Sequence, residues 1–156
     1  MARIVKWLVV IFAVAYMIMM GTRNWLHANQ LMHYKRTMAD ICTLAQAVNA
    51  YKADHGMYPP AQSSADLTKF LVPKYLETAI SQDDWKRPLK YQVWKSPGSD
   101  EENFGIASAA KDGAWQFPNI RQYHAGMTKN LKDDIVILNG HFFHWYEGMA
   151  IGGRCN

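Results

Sequence analysis

The sequence predicts an α+β chain. An N-terminal transmembrane helix continues into a long amphipathic helix, and that helix packs on a small antiparallel β-sheet. Three observations carry this. Residues 7–22, WLVVIFAVAYMIMMGT, hold no charged residue. Apolar residues then recur at three- and four-residue steps, with no breaker up to residue 54. After residue 84 the apolar period changes to two. A chain of 156 residues has room for one domain with a modest core and one extra element.

The first element is the membrane span. With Ile4 and Val5 added, and Lys6 reaching outward, the apolar stretch is about 19 residues, or about 28 Å of helix. That matches a hydrocarbon core of about 30 Å. Trp7 and Trp25 lie about 27 Å apart on a helix and are placed as anchors at the two interfaces. A cleavable signal peptide needs a small-residue cleavage site, and residues 19–25, MMGTRNW, offer none, so the anchor is expected to be retained. The positive-inside count does not fix the orientation, because Lys35 and Arg36 offset Arg3 and Lys6.

The second element is the outer half of the same helix. Leu31, Tyr34, Met38, Ile41, Ala45 and Val48 form one stripe, widened by Leu44 and Tyr51. Gly56 supplies a C-terminal stop, and Pro59-Pro60 forbid resumption. Ser63-Ser64 then cap a short helix with Asp66 in its first turn, Leu67, Phe70 and Leu71 as its apolar face and Pro73 beyond its end. Leu89, Tyr91 and Val93 alternate as a strand, and residues 96–99 turn. Phe104, Ile106 and Ser108 share one face of a second strand. Residues 114–132 read as an irregular aromatic insert. Asn139-Gly140 between two apolar runs predicts a hairpin. The expected organisation is therefore a single span at 1–25, an extramembrane half-helix at 26–56, a sheet domain at 57–147 and a flexible Gly-rich tail at 148–156.

This order of motifs resembles the type IV pilin fold, and in particular the major pseudopilins of type II secretion systems. Tyr51 and Gly56-Met57-Tyr58-Pro59 match the family's helix-ending segment. Asp83, Trp85, Pro88 and Tyr91 match its Asp-Pro-Trp-Gly-x-Pro-x-x-Tyr segment, with Asp84 in place of the proline and Lys86 in place of the glycine. Ser108, Asp112 and Gly113 match Ser-x-Gly-x-Asp-Gly, with Ala110 where glycine is usual. The resemblance covers residues 38–115 well and implies a pilin-like domain. The family also carries a short basic leader and an early glutamate in its apolar segment, which this chain does not repeat: residues 7–22 contain no acid. A carboxylate in lipid is expensive and is kept for a partner. Its absence predicts that no neighbouring N-terminal amine is met there.

Candidate sites follow. By resemblance, Asp112 with Asp133 or Asp134 supplies oxygens to a calcium ion, which needs six to eight of them. Arg121, Lys129 and Lys132 in the insert disfavour a cation, and the competing reading is a turn acid and a solvated pair. His141 and His144, three apart on a strand, are expected on opposite faces and so unable to share a metal. His27, just past the span, is either a solvated interfacial residue or a contact to a haem or pigment. Cys42 and Cys155 are a possible disulfide if the domain lies outside the cytoplasm. In residues 82–91, QDDWKRPLKY, Asp83 and Asp84 are expected to cap a turn, and Trp85 and Tyr91 to pack on the long helix. Lys86, Arg87 and Lys90 are expected to stay at the surface.

The bases form no dense run, so no nucleic-acid partner is expected. There is no nucleophile elbow, P-loop or paired-carboxylate pocket, so neither enzyme activity nor a small-molecule substrate is expected. The sequence reads as a membrane-anchored structural subunit of the bacterial inner membrane. Its domain is periplasmic, and its partners are lipids and other subunits of a complex, for instance a photosynthetic or respiratory one. The alternative is a working pseudopilin of a secretion or pilus-like machine.

Overall fold

The computed structural model describes residues 2–149 and 155, with side chains from Val5 onward. They fall into two units, Met1–Met32 and His33–Asn156. One helix, α1 (Ala2–His55), contributes to both.

In the first unit every residue from 5 to 29 is exposed. Phe12, Trp7 and Trp25 are 75%, 69% and 68% exposed. The stretch has a mean hydropathy of 1.9, and α1 is the one helix among the described residues long and apolar enough to cross a membrane. An apolar helical surface that the chain leaves uncovered is suited to lipid, because the helix already satisfies its own backbone.

In the second unit α1 buries the predicted stripe: Tyr34, Met38, Ile41, Leu44, Ala45 and Val48 are all at or near zero exposure. The helix ends at Gly56, whose φ of +76° is the left-handed stop that glycine adopts without strain. Its N–H closes the last turn on the Lys52 carbonyl at 2.8 Å. The short helix α2 (Ser64–Leu71) is capped by the Ser63 side chain, which accepts from Asp66 N, and it buries Leu67 and Leu71.

Five strands follow: β1 (Lys90–Lys95), β2 (Glu102–Ser108), β3 (Gly126–Thr128), β4 (Ile135–Leu138) and β5 (His141–Tyr146). They form one sheet in the order β1-β2-β4-β5-β3. The β4–β5 hairpin turns on Asn139 and Gly140, at φ +50° and +82°, the backbone that an Asn-Gly pair favours. The sheet is mixed rather than wholly antiparallel. β3, inside the stretch that reads as irregular, pairs parallel to β5.

The two faces of the sheet carry two different cores. Tyr91, Ile106, Ile137 and Phe142 are aligned across the ladder, all buried, and with Phe104 and Ile135 they form the face that meets the α1 stripe. On the opposite face Ala107 and Val136 are covered by Ile120 and Tyr123, with Trp94, Trp115, Phe117, Leu138 and Phe143 around them. The insert is thus a second hydrophobic layer. Gly105 makes room for it: a Cβ there would stand 2.6 Å from Ile120 Cγ2 and 3.0 Å from Leu138 Cδ2.

A bulge in the β4–β5 pair aligns Ile137 with Phe142 but Val136 with His144, leaving Phe143 extra. This corrects the expectation for the two histidines. His141 lies opposite Leu138 and His144 opposite Val136, two positions of the same face, because the extra residue cancels one alternation.

Candidate functional site

The 81–88 loop is built by Asp83. It exchanges bonds with the Arg87 backbone, Asp83 N donating to Arg87 O at 2.8 Å and the Asp83 carboxylate Oδ1 accepting from Arg87 N at 2.9 Å. Its second oxygen accepts from the Ser108 hydroxyl at 2.7 Å, and that hydroxyl accepts from Ala110 N at 3.0 Å. Asp83 is only 2% exposed, so one buried carboxylate ties the loop before β1 to the turn after β2. Arg87 closes the same junction. Nη1 donates to the Ala110 carbonyl, and the guanidinium lies against Gly113, where a Cβ would come within 2.7 Å of it. Asp112 caps this turn by accepting from Ala114 N at 3.0 Å.

Several expectations change here. Asp84 does not cap the turn. Its amide donates to Thr37 Oγ1 at 3.1 Å, and its carboxylate meets His33 Nδ1 at 2.5 Å and Arg36 at 3.7 Å, all on α1. Trp85 lies on α1, 5.7 Å from the His33 ring and 6.4 Å from the Tyr34 ring. Tyr91, buried on the sheet face toward the helix, also reaches the segment after it, donating to Pro59 O at 3.2 Å and packing near Phe104. Pro88 is exposed and bridges to Gln82 across the loop. Tyr58 is buried on Phe104, with ring centroids 4.8 Å apart, and Lys52 lies over its outer face at 3.9 Å.

Arg87 and Lys90 are half-buried and bonded to backbone carbonyls rather than free at the surface. Lys90 Nζ donates to the carbonyls of Phe117 and Pro118, at 3.3 and 3.1 Å, and stands 3.8 Å from the centre of the Trp115 ring. Burial lowers its pKa from the ordinary lysine value, and the nearby Asp134 carboxylate opposes that.

Asp134 is fully buried. One oxygen accepts from Gln116 N at 3.0 Å and from the Tyr123 hydroxyl, while Oδ1 has no protein partner. Burial raises its pKa from the ordinary aspartate value, and Asp112 adds to this; the Tyr123 and Gln116 bonds and Lys90 oppose it. Burial and the same carboxylate push the Tyr123 phenol up. Asp133 turns the other way, accepting from Thr128 Oγ1 and, at 3.0 Å, from Asn130 Nδ2.

These donors do not fit calcium. Most of the oxygens a cation would need already accept protein hydrogens: Asp112 Oδ1 from an amide, Asp133 from a hydroxyl and an amide group, Asp134 Oδ2 from Gln116 and Tyr123, and the two insert carbonyls from Lys90; Asp134 Oδ1 is left open, one oxygen against the six to eight that calcium needs. Among the described residues no three His, Cys, Asp or Glu side chains gather as a metal site. His27 is exposed on α1, just past the apolar stretch. His144 is half-buried, 6.2 Å from the Tyr123 ring.

Cys42 and Cys155 are bonded, with Cα atoms 5.1 Å apart. Gln46 Nε2 donates to the Cys155 carbonyl, and Cys155 N to Gly140 O, both at 3.4 Å. The tail is therefore held at Cys155, and Met149 is buried; its residues 150–154 and 156, expected to be flexible, lie outside the described residues.

Two left-handed residues sit at the motif's departures. Lys86 (φ +66°) and Ala110 (φ +44°) occupy the two positions where the resembled motifs carry glycine. The backbone keeps the shape that glycine would allow, and this chain bears the side-chain cost.

Thr37 and Gly105 carry no expectation from the sequence, and Lys90 is expected there only as a surface base. A glycine inside an alternating strand was a signal for Gly105; a lysine at a polar strand position gave none for Lys90.

No curated protein and no solved structure matches the chain. The model of the type II secretion system (T2SS), protein G, family matches residues 24–117, more than half of it. That span contains the outer part of α1, the Asp83 junction and the Ser108–Gly113 turn. On that match and this architecture, the chain belongs to the protein G family of the type II secretion system, the major pseudopilins.

Proposed function

We propose that the chain is a non-enzymatic, single-span subunit of the bacterial inner membrane that stabilises a larger membrane protein complex. In this reading residues 1–25 anchor it in lipid, residues 26–56 carry the helix onward, and the sheet domain of residues 57–147 stands on the periplasmic side. The observation that carries the reading is one chain holding both the uncovered apolar surface of α1 and a disulfide. The first is at lowest free energy in a bilayer, and the second persists in an oxidising compartment. Family membership supports a scaffold rather than a catalyst. The buried carboxylates support it too, since Asp83 and Asp134 are engaged in holding loops to the sheet.

Affinity capture of the full chain from native membranes, with mass spectrometry of what accompanies it, tests this. Other membrane subunits should co-purify at fixed ratio; a chain that leaves detergent extraction as a lone monomer sinks the reading. A photosynthetic or respiratory complex is one assembly it admits.

The match over residues 24–117 favours a second reading, a working pseudopilin of a type II secretion or pilus-like machine. Its captured partners would be secretion subunits. Mass spectrometry of the mature N-terminus separates the two: processing by a prepilin peptidase supports the second, and an intact Met1 opposes it.

A further inference from the structure

We propose that the Lys90 ammonium is a built-in cation site that orders the aromatic insert over the far face of the sheet, so that this layer needs no divalent metal. Lys90 is the first residue of β1, and it points its amine away from the α1 core. There it meets what a bound cation would meet: two backbone carbonyls, Phe117 and Pro118, an aromatic face, Trp115, and a buried carboxylate in its electrostatic reach, Asp134.

The insert is also fixed by its packing on Ala107 and Val136 and by the Gln116 and Tyr123 bonds to Asp134. Phe117 N donates to the Tyr123 hydroxyl at 3.4 Å, and Ile120 N to Gln92 Oε1 at 2.9 Å. A three-residue 3-10 turn (Ile120–Gln122) lies between. From β1, the Phe117 and Pro118 carbonyls are held by the lysine. A four-carbon stem lets the charge sit at the insert while the backbone stays in the sheet. The same ammonium places a positive charge in the electrostatic reach of Asp134, one of the acids that would receive calcium, and it occupies the Phe117 and Pro118 carbonyls. One residue thus explains both the order of the insert and the misfit of a metal.

Hydrogen–deuterium exchange and thermal melts of the full chain in detergent micelles test this, in calcium and in chelator. Wild-type protein should show the same melting temperature and the same protection in both. Lys90→Met should lose protection by about tenfold at the amides of Phe117 and Ile120, while β2 and β4 stay protected. Lys90→Arg, which keeps the charge, should lose much less. Calcium that raises the wild-type melting temperature or insert protection overturns the proposal. So does a folded Lys90→Met with wild-type insert protection. Should Lys90→Met fail to fold, Lys90→Gln in the same exchange experiment takes its place, and the wild-type calcium arm stands on its own.

Discussion

The Ser108 hydroxyl donates to Asp83 Oδ2 across 2.7 Å in the buried junction between the end of β2 and the loop before β1. A buried carboxylate bond of this kind contributes about 1.5–3 kcal/mol, and removing one partner strands the other. Asp83→Ala should cost at least that, since it also releases Arg87 N. Ser108→Ala should cost less, and the double variant should cost less than the sum. Urea melts of the four proteins measure the coupling; strict additivity would contradict the direct bond.

Lys86 is exposed and left-handed, so a glycine there relieves strain without loss of buried contact. Lys86→Gly should raise stability by about 1 kcal/mol. Ala110 is left-handed as well but fully buried, so Ala110→Gly gives up a packed methyl and should gain less. Equal gains, or a loss at Lys86, would refute the strain account.

Asp134 carries a raised pKa because it is buried. A carboxyl whose folded value exceeds its unfolded one contributes stability that is complete below about 3.9, and the contribution is lost as pH rises through the folded value. Asp134→Asn keeps an acceptor for Tyr123 and removes the charge. Its stability relative to wild type should therefore improve as pH climbs from about 4 toward neutrality. Parallel pH–stability curves for the two proteins would count against this.

Gly105→Ala places a methyl against Ile120 and Leu138. Neither is a long flexible chain end, so the insert must lift or the strand must shift, at a cost of about 1–3 kcal/mol. Exchange should show the loss at residues 116–123 before it reaches β4. A fully protected insert in this variant would mean that the contact yields more easily than its geometry says.

The Cys42–Cys155 bond closes a loop of sequence separation 113. In the loop-closure account, opening such a loop removes up to about 4 kcal/mol of stability. Cys42→Ser with Cys155→Ser should lower the denaturation midpoint accordingly, and wild type in reductant should behave the same way.

The helix, its glycine stop and the four antiparallel strands are legible because each is a local pattern. Examples are the stripe from Tyr34 to Val48, Gly56 before Pro59, and Asn139-Gly140 between apolar runs. β3 is not legible, since three residues pair in parallel with a strand that comes later in the chain, and nothing in Gly126–Thr128 announces it. The second core escapes for a related reason. Trp115, Phe117, Ile120 and Tyr123 follow no period of two or 3.6, because they are placed by the sheet they cover. At the candidate site, Asp83, Ser108 and Gly113 stand in a recognisable order. The partners of Lys90 are backbone carbonyls, which carry no sequence identity and so leave no trace in the residues. The two histidines mislead because a bulge, invisible in composition, cancels one step of the alternation.

The bond between Cys42 and Cys155 also has a mechanical meaning. It makes the chain from residue 42 to residue 155, which contains α2 and all five strands, one covalent ring. Tension applied between the apolar stem and the C-terminus enters that ring at Cys42 and leaves it at Cys155, one disulfide away. The sheet lies on the slack side of the path. A pull on the stem is borne first by the helix before Cys42 and its contacts, such as Thr37 with Asp84, and the closed bond then carries the load past the strands.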